Sequence, residues 1–190
     1  MQIASDLILV AVLVVAAVTD LRWGRVYNWL VYPAIAVGLL LPAISGDLPG
    51  LKDHALAAGL AFVVLLVCYA VGGLGGGDVK LLTAVGALGG YERAGQGNFI
   101  LVALFYAFAV GAILGLLGAL WRRTLGLTVV RTWWAARLLA VPGASLDDAV
   151  PKTTFRVPFG FAICLGTVWL LAENYTGVTL GALLAKVLPL

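Results

Sequence analysis

Charge is what this sequence has least of. Aspartate, glutamate, lysine and arginine together make up 11% of its 190 residues, against 63% hydrophobic residues. A soluble domain is about a quarter charged, so this chain has too little polar surface to be solvated all round. Histidine occurs once, at His54. Cysteine occurs twice, at Cys68 and Cys164, far apart in apolar runs and without a CxxC pair. These scarcities argue against a disulfide framework and a zinc site, so neither a metal nor another cofactor is expected. A GxSxG element is also missing. The opening "MQIASDLILVAVLVVAAVTD" lacks the basic n-region of a signal peptide, and "AVTD" is a poor cleavage site, so it reads as a retained first helix.

What the chain does have is long apolar runs. They fall at about 3–19, 28–44, 55–71, 79–89, 99–121 and 157–172, with a weaker seventh at 178–190. A spanning segment must satisfy its own backbone hydrogen bonds, which leaves helices or a closed barrel. A barrel strand alternates over about ten residues, and these runs are continuous. The expected class is therefore all-α: a polytopic integral membrane protein of about six transmembrane helices, in one domain over residues 1–190. The lipid bilayer is its first partner. The net charge of +3 is read as topology and not as a nucleic-acid surface.

Lysines and arginines fall in alternate loops. Arg22, Arg25, Lys80, Arg122, Arg123, Arg131, Arg137, Lys152 and Arg156 lie on one side; Lys52, Arg93 and Lys186 lie on the other. The positive-inside rule makes the first set cytoplasmic and puts the N-terminus outside. The loop 122–156 contains "RTLGLTVVRTWWAARLLA", with Leu127, Val130, Trp134 and Leu138 at helical spacing. It reads as an amphipathic helix on the cytoplasmic interface. Gly86 with Gly90, and Gly111 with Gly115, are spaced for close helix packing.

Seven of the nine carboxylates have simple structural readings. Asp47, Asp53 and Glu92 lie in outer loops, with Asp53 a candidate cap for the third helix. Asp147 and Asp148 sit in a polar loop, Glu173 ends the sixth segment, and Asp6 lies near a helix N-terminus. Asp20 and Asp78 differ. Asp20 closes the first run, where a helix ending would set it against the negative end of the dipole. A continuing helix that points Asp20 into the bundle is the better reading. Asp78 follows the glycine cluster of "GGLGGGDVKLL" and opens the fourth run, where it could serve as an N-cap.

Opposite helix directions put both carboxylates at one membrane depth, near the cytoplasmic face. Ionisable residues at such depth are functional candidates. Two carboxylates within a few ångströms hold one shared proton between them. That state suits amide hydrolysis: the carboxylate activates water while the carboxylic acid polarises the carbonyl. Gly75 and Gly77 then read as open backbone that a strand-like substrate can approach.

At these residues the chain resembles the type IV prepilin peptidases, which are GxGD-type intramembrane aspartyl proteases. Gly75-Gly76-Gly77-Asp78 followed by "VKLL" matches the GxGD element. "DLRWGRVYN" resembles the D-x-R-x-x-x-(I/V)-P-N pattern through Asp20, Arg22, Val26 and Asn28, with Tyr27 in the usual proline position. "VPFGFAI" resembles the late P-(F/Y)-G element through Pro158 and Gly160. The resemblance implies catalytic Asp20 and Asp78, with Arg22, Asn28, Gly75, Gly77, Lys80, Pro158 and Gly160 binding substrate or supporting the site. It implies a prepilin or pilin-like substrate with an N-terminal leader and an apolar helix, cut at the cytoplasmic face of the inner membrane. Longer bacterial members carry a cysteine-containing insert and also N-methylate the new terminus. Without that insert, the chain resembles the short branch serving tight-adherence pili, and N-methylation stays open.

Two other classes fit the residues. A small proton-coupled carrier would use its carboxylates as a relay, but needs a polar path through an outer half that offers few buried polar groups. A non-catalytic subunit of a pilus or secretion assembly would use Asp78 only as a helix cap.

Overall fold

The computed structural model describes residues 2–70, 74–93, 98–121, 126, 130 and 158–179. They form six helices: α1 (Gln2–Trp23), α2 (Asn28–Ile44), α3 (Leu48–Ala70), α4 (Gly76–Gly89), α5 (Phe99–Trp121) and α6 (Phe159–Thr176). The protein is an all-α integral membrane protein. α1, α3 and α5 are long and apolar enough to cross a bilayer, and α2 is a shorter apolar helix. The amphipathic helix expected in 122–156 and the seventh segment at 178–190 fall almost wholly outside the described residues.

α2 and α5 have the bounds that hydropathy predicts. α3 starts seven residues earlier than expected. The Asp47 carboxylate accepts the Gly50 N–H at 2.9 Å, so Asp47, and not Asp53, caps this helix. Asp53 lies one turn inside α3. Its two oxygens accept the N–H groups of Tyr91 (2.8 Å) and Glu92 (3.0 Å), fastening the end of α4 to the start of α3. Gly90 makes that join possible: its φ of +76° is left-handed, and a Cβ there would lie 2.5 Å from the Asp53 carboxylate.

α4 is the centre of the bundle and packs against α1, α2 and α3. From Asp78 to Gly89 only Lys80 escapes burial. Lys80 therefore sits on the first turns of α4 and not in a loop. Small residues let the neighbours close in. A Cβ on Gly38 of α2 would lie 2.5 Å from the Ala87 carbonyl, and one on Gly86 would lie 2.6 Å from the Ala57 carbonyl oxygen of α3. Of the two glycine pairs singled out by spacing, Gly86 and Gly111 make close interhelical approaches, Gly111 against Phe159. Gly90 instead ends α4.

The end of the bundle holding the start of α1 and the end of α6 is more polar than expected. Ser5, Asp6, Arg93 and Glu173 are all buried. Asp6 pairs with Arg93 and also accepts the Tyr175 hydroxyl at 2.6 Å. Arg93 is thus not a free loop charge: its guanidinium lies over the Phe99 ring at 4.7 Å, and burial pushes it below the ordinary arginine range, where it stays cationic. Glu173 does not end its segment but lies inside α6, accepting from the Tyr106 hydroxyl and Trp169 Nε1. The expectation of few buried polar groups in this half is wrong, because loop and helix-end side chains fold inward there and several pair with one another, while Arg93 Nη1 and the Asn174 amide stay buried without a hydrogen-bond partner among the described residues. Between the two ends the interior is mainly Leu9, Leu13, Leu81, Leu82, Val85 and Leu170, all fully buried.

Candidate active site

α1 runs on through Asp20 to Trp23, so Asp20 is an interior helical residue, 5% exposed. Gly24, at φ +61°, then turns the chain back toward α2. Asp78 is 6% exposed and lies at the third position of α4. It is therefore not the N-cap. Gly75 occupies that place with extended backbone (φ −85°, ψ 147°), and its N–H donates to Asp78 Oδ2 at 3.1 Å.

Both carboxylates line one cavity of about 290 Å³. Its walls are Asp20 and Gly24 of the α1 end, the connection Arg25–Val26–Tyr27, Asn28 of α2, and Gly77 with Asp78 of α4. The opposed directions of α1 and α4 thus bring the two aspartates to the same end of the bundle.

Each carboxylate also meets a helix N-terminus. Asp78 sits in the first turn of α4. Asp20 Oδ2 accepts the N–H of Phe161 at 3.3 Å, from the first turn of α6. The partial positive charge of a helix start favours an anion there. This answers the difficulty of Asp20 near the end of its own helix: the positive end of α6 faces it. Pro158 precedes α6 as its N-cap. Gly160 permits the approach, since a Cβ there would stand 3.0 Å from Asp20 Oδ2 and 3.2 Å from its Cγ.

The other candidate residues divide. Asn28 lines the cavity, and its Oδ1 accepts Lys80 Nζ at 3.0 Å. Lys80 also lies over the Tyr32 ring, 5.2 Å from its centre. Gly77 lines the cavity as a helical residue with a packing reason of its own: a Cβ would meet Val26 Cβ at 3.0 Å. Arg22 is exposed on the last turn of α1 and is not among the lining residues. Sequence reasoning missed Gly24, Tyr27 and the Phe161 N–H. The glycine before "RVYN" is the one local sign of a reversal; a backbone donor 141 positions from its acceptor leaves none. Exposed Trp23, Tyr27 and Trp29 cluster at this end, Trp23 edge-on and Trp29 tilted to Tyr27, with ring centres 6.4–6.5 Å apart, as aromatics gather at a membrane–water boundary. No group of three or more His, Cys, Asp or Glu able to hold a metal occurs among the described residues.

The family model described as the type IV leader peptidase family matches residues 7–116. That span contains both aspartates and every residue lining their cavity. The prepilin leader peptidase/N-methyltransferase of Bacillus subtilis (strain 168) is 25% identical over 118 residues, covering 60% of this chain and 44% of that protein. The match thus spans less than half of the relative's length. No solved structure matches the chain.

Proposed function

The chain belongs to the type IV leader peptidase family, and from that premise we propose that it is a membrane aspartyl endopeptidase that removes the leader of prepilin-like proteins. The observation that carries this reading is the pair Asp20 and Asp78, buried on two helices and lining one cavity. One carboxylate takes a proton from water as the water oxygen attacks the peptide carbonyl. The other, protonated, donates to the carbonyl oxygen and stabilises the tetrahedral intermediate. Collapse of that intermediate breaks the C–N bond; the proton taken from water passes to the leaving amine, and the hydroxyl proton of the intermediate returns to the second carboxylate, so the pair again holds one proton. Gly75 N–H donates to Asp78 and Phe161 N–H to Asp20, so each carboxylate is oriented by a backbone donor.

The reading places the whole chain in one peptidase domain of the inner membrane, with the N-terminus outside and the cavity near the cytoplasmic face. Arg22, Arg25 and Lys80 at the aspartate end support that orientation, and the exposed aromatics there fit a membrane–water boundary on either side. The substrate is a prepilin-like chain whose leader meets this end while its apolar helix lies in the bilayer. The peptidase step is the activity assigned; the relative's second named activity is not carried over.

The test is co-expression with candidate prepilins, comparing wild type with Asp20→Asn and Asp78→Asn. Both variants should insert normally and leave the leader uncut. Cleavage that survives either change would sink the reading. A non-catalytic subunit would tolerate Asp78→Asn, because an asparagine oxygen also accepts the Gly75 N–H.

A further inference from the structure

We infer that Asp6 and Tyr175, at the end of the bundle remote from the aspartate cavity, are positioning residues for Asp20, acting through the axial register of α6 against α1. The inference rests on the peptidase reading above. α1 and α6 pack against one another and run in opposite directions, tied at both ends. At the cavity end the Phe161 N–H donates to Asp20 at 3.3 Å; at the remote end the Tyr175 hydroxyl donates to Asp6 at 2.6 Å. Asp6 and Asp20 stand 14 positions apart, and so do Phe161 and Tyr175. Each interval is about 21 Å along an α-helix, so the two ties match. A slide of α6 by one residue's rise, about 1.5 Å, would strain both.

Between the ties the buried residues of the two helices are mainly apolar, Leu9, Leu13, Ala16, Ile163 and Leu170 being fully buried, with Thr167 of α6 the fully buried polar one. Close packing holds the helices against one another, and the hydrogen bonds at the two ends add a fixed direction and distance along the axis. The remote tie is itself anchored. Asp6 is paired with Arg93, which reaches in from the connection between α4 and α5 and lies over Phe99. At the cavity end the tolerance is small. The Phe161 bond is already long for an N–H···O contact, and α6 approaches so closely at Gly160 that a Cβ would touch the Asp20 carboxylate. A shift well under one rise would change where that carboxylate points.

The experiment uses the full chain reconstituted in membranes, with a prepilin-like substrate and steady-state kinetics. Tyr175→Phe removes one hydroxyl from a ring that is 63% exposed, so the core is untouched. The variant should lose roughly tenfold in kcat, the scale of a sub-ångström misplacement, with KM unchanged. Gly160→Ala should also lower kcat. The double variant should fall no further than Gly160→Ala alone, because both changes disturb one contact; independent sites this far apart would multiply. An unchanged kcat in Tyr175→Phe, with or without a lower Tm, overturns the inference, as does a multiplicative double variant. Asp78→Asn separates the two levels. Cleavage by Asp78→Asn, or none by wild type, removes the peptidase reading and this inference with it. Cleavage by wild type alone, with Tyr175→Phe at full rate, removes only the inference.

Discussion

Gly86→Ala tests whether the spacing of α3 and α4 positions Asp78. An added Cβ would lie 2.6 Å from the Ala57 carbonyl oxygen, 2.7 Å from its carbon and 2.8 Å from the Ala58 nitrogen, and ordinary contact begins at 3.4 Å. These are backbone atoms, so no side chain can swing aside; the two helices must part by about 0.8 Å in an interior packed at crystal-like density. Overpacking of this kind costs about 1–3 kcal/mol, while alanine returns up to about 1 kcal/mol over glycine in a helix. The net loss of stability is therefore modest, near 1 kcal/mol. The effect on rate is larger. Asp78 lies about two turns along the same helix, and a helix moves as a rod, so much of the displacement reaches the carboxylate. A 1 Å misplacement costs about 100-fold, which gives an expected fall in kcat/KM of roughly ten- to 100-fold. Leader removal in reconstituted membranes measures it, alongside thermal unfolding. Gly59→Ala on α3 is the control, since nothing lies within 4 Å of its Cβ; it should cleave like wild type and unfold at the same or a slightly higher temperature. A Gly86→Ala protein as active as wild type would refute the idea that this crossing sets the position of Asp78.

Asp47→Ala removes the α3 cap and should cost about 1 kcal/mol of stability, read as a lower Tm, while Asp47→Asn restores most of it and cleavage stays near wild type. Lys80→Met removes the hydrogen bond to Asn28 and the contact over Tyr32; at about 0.5–1.5 kcal/mol for such a bond, leader cleavage should slow roughly two- to tenfold, with the protein still inserting at wild-type levels.

The fold class and the meeting of Asp20 and Asp78 at one cavity were legible because both follow from one-dimensional patterns. Continuous apolar runs gave the bounds of α2 and α5, and alternating helix direction put Asp20 and Asp78 at one end. The early start of α3 was hidden because "SGDLPGLKDH" carries proline, glycine and charges that read as loop, although Asp47 and Pro49 are also a helix-start pattern. Asp6 and Arg93 were read from their nearest neighbours in sequence, as a dipole-favoured carboxylate and a loop charge. Their pairing across 87 positions depends on how the chain folds back. The support of Asp20 by α6 is hidden for the same reason.

The span between Asp20 and Phe161 also has a meaning in time. A ribosome that has delivered α1 to α4 has made both carboxylates, yet Asp20 does not gain the Phe161 N–H until the chain has grown 72 residues past Gly89, the end of α4. The last described helix therefore completes the surroundings of Asp20: the Phe161 N–H reaches it only on a chain made past residue 161. A product stalled or clipped before residue 161 would hold both carboxylates without that hydrogen bond.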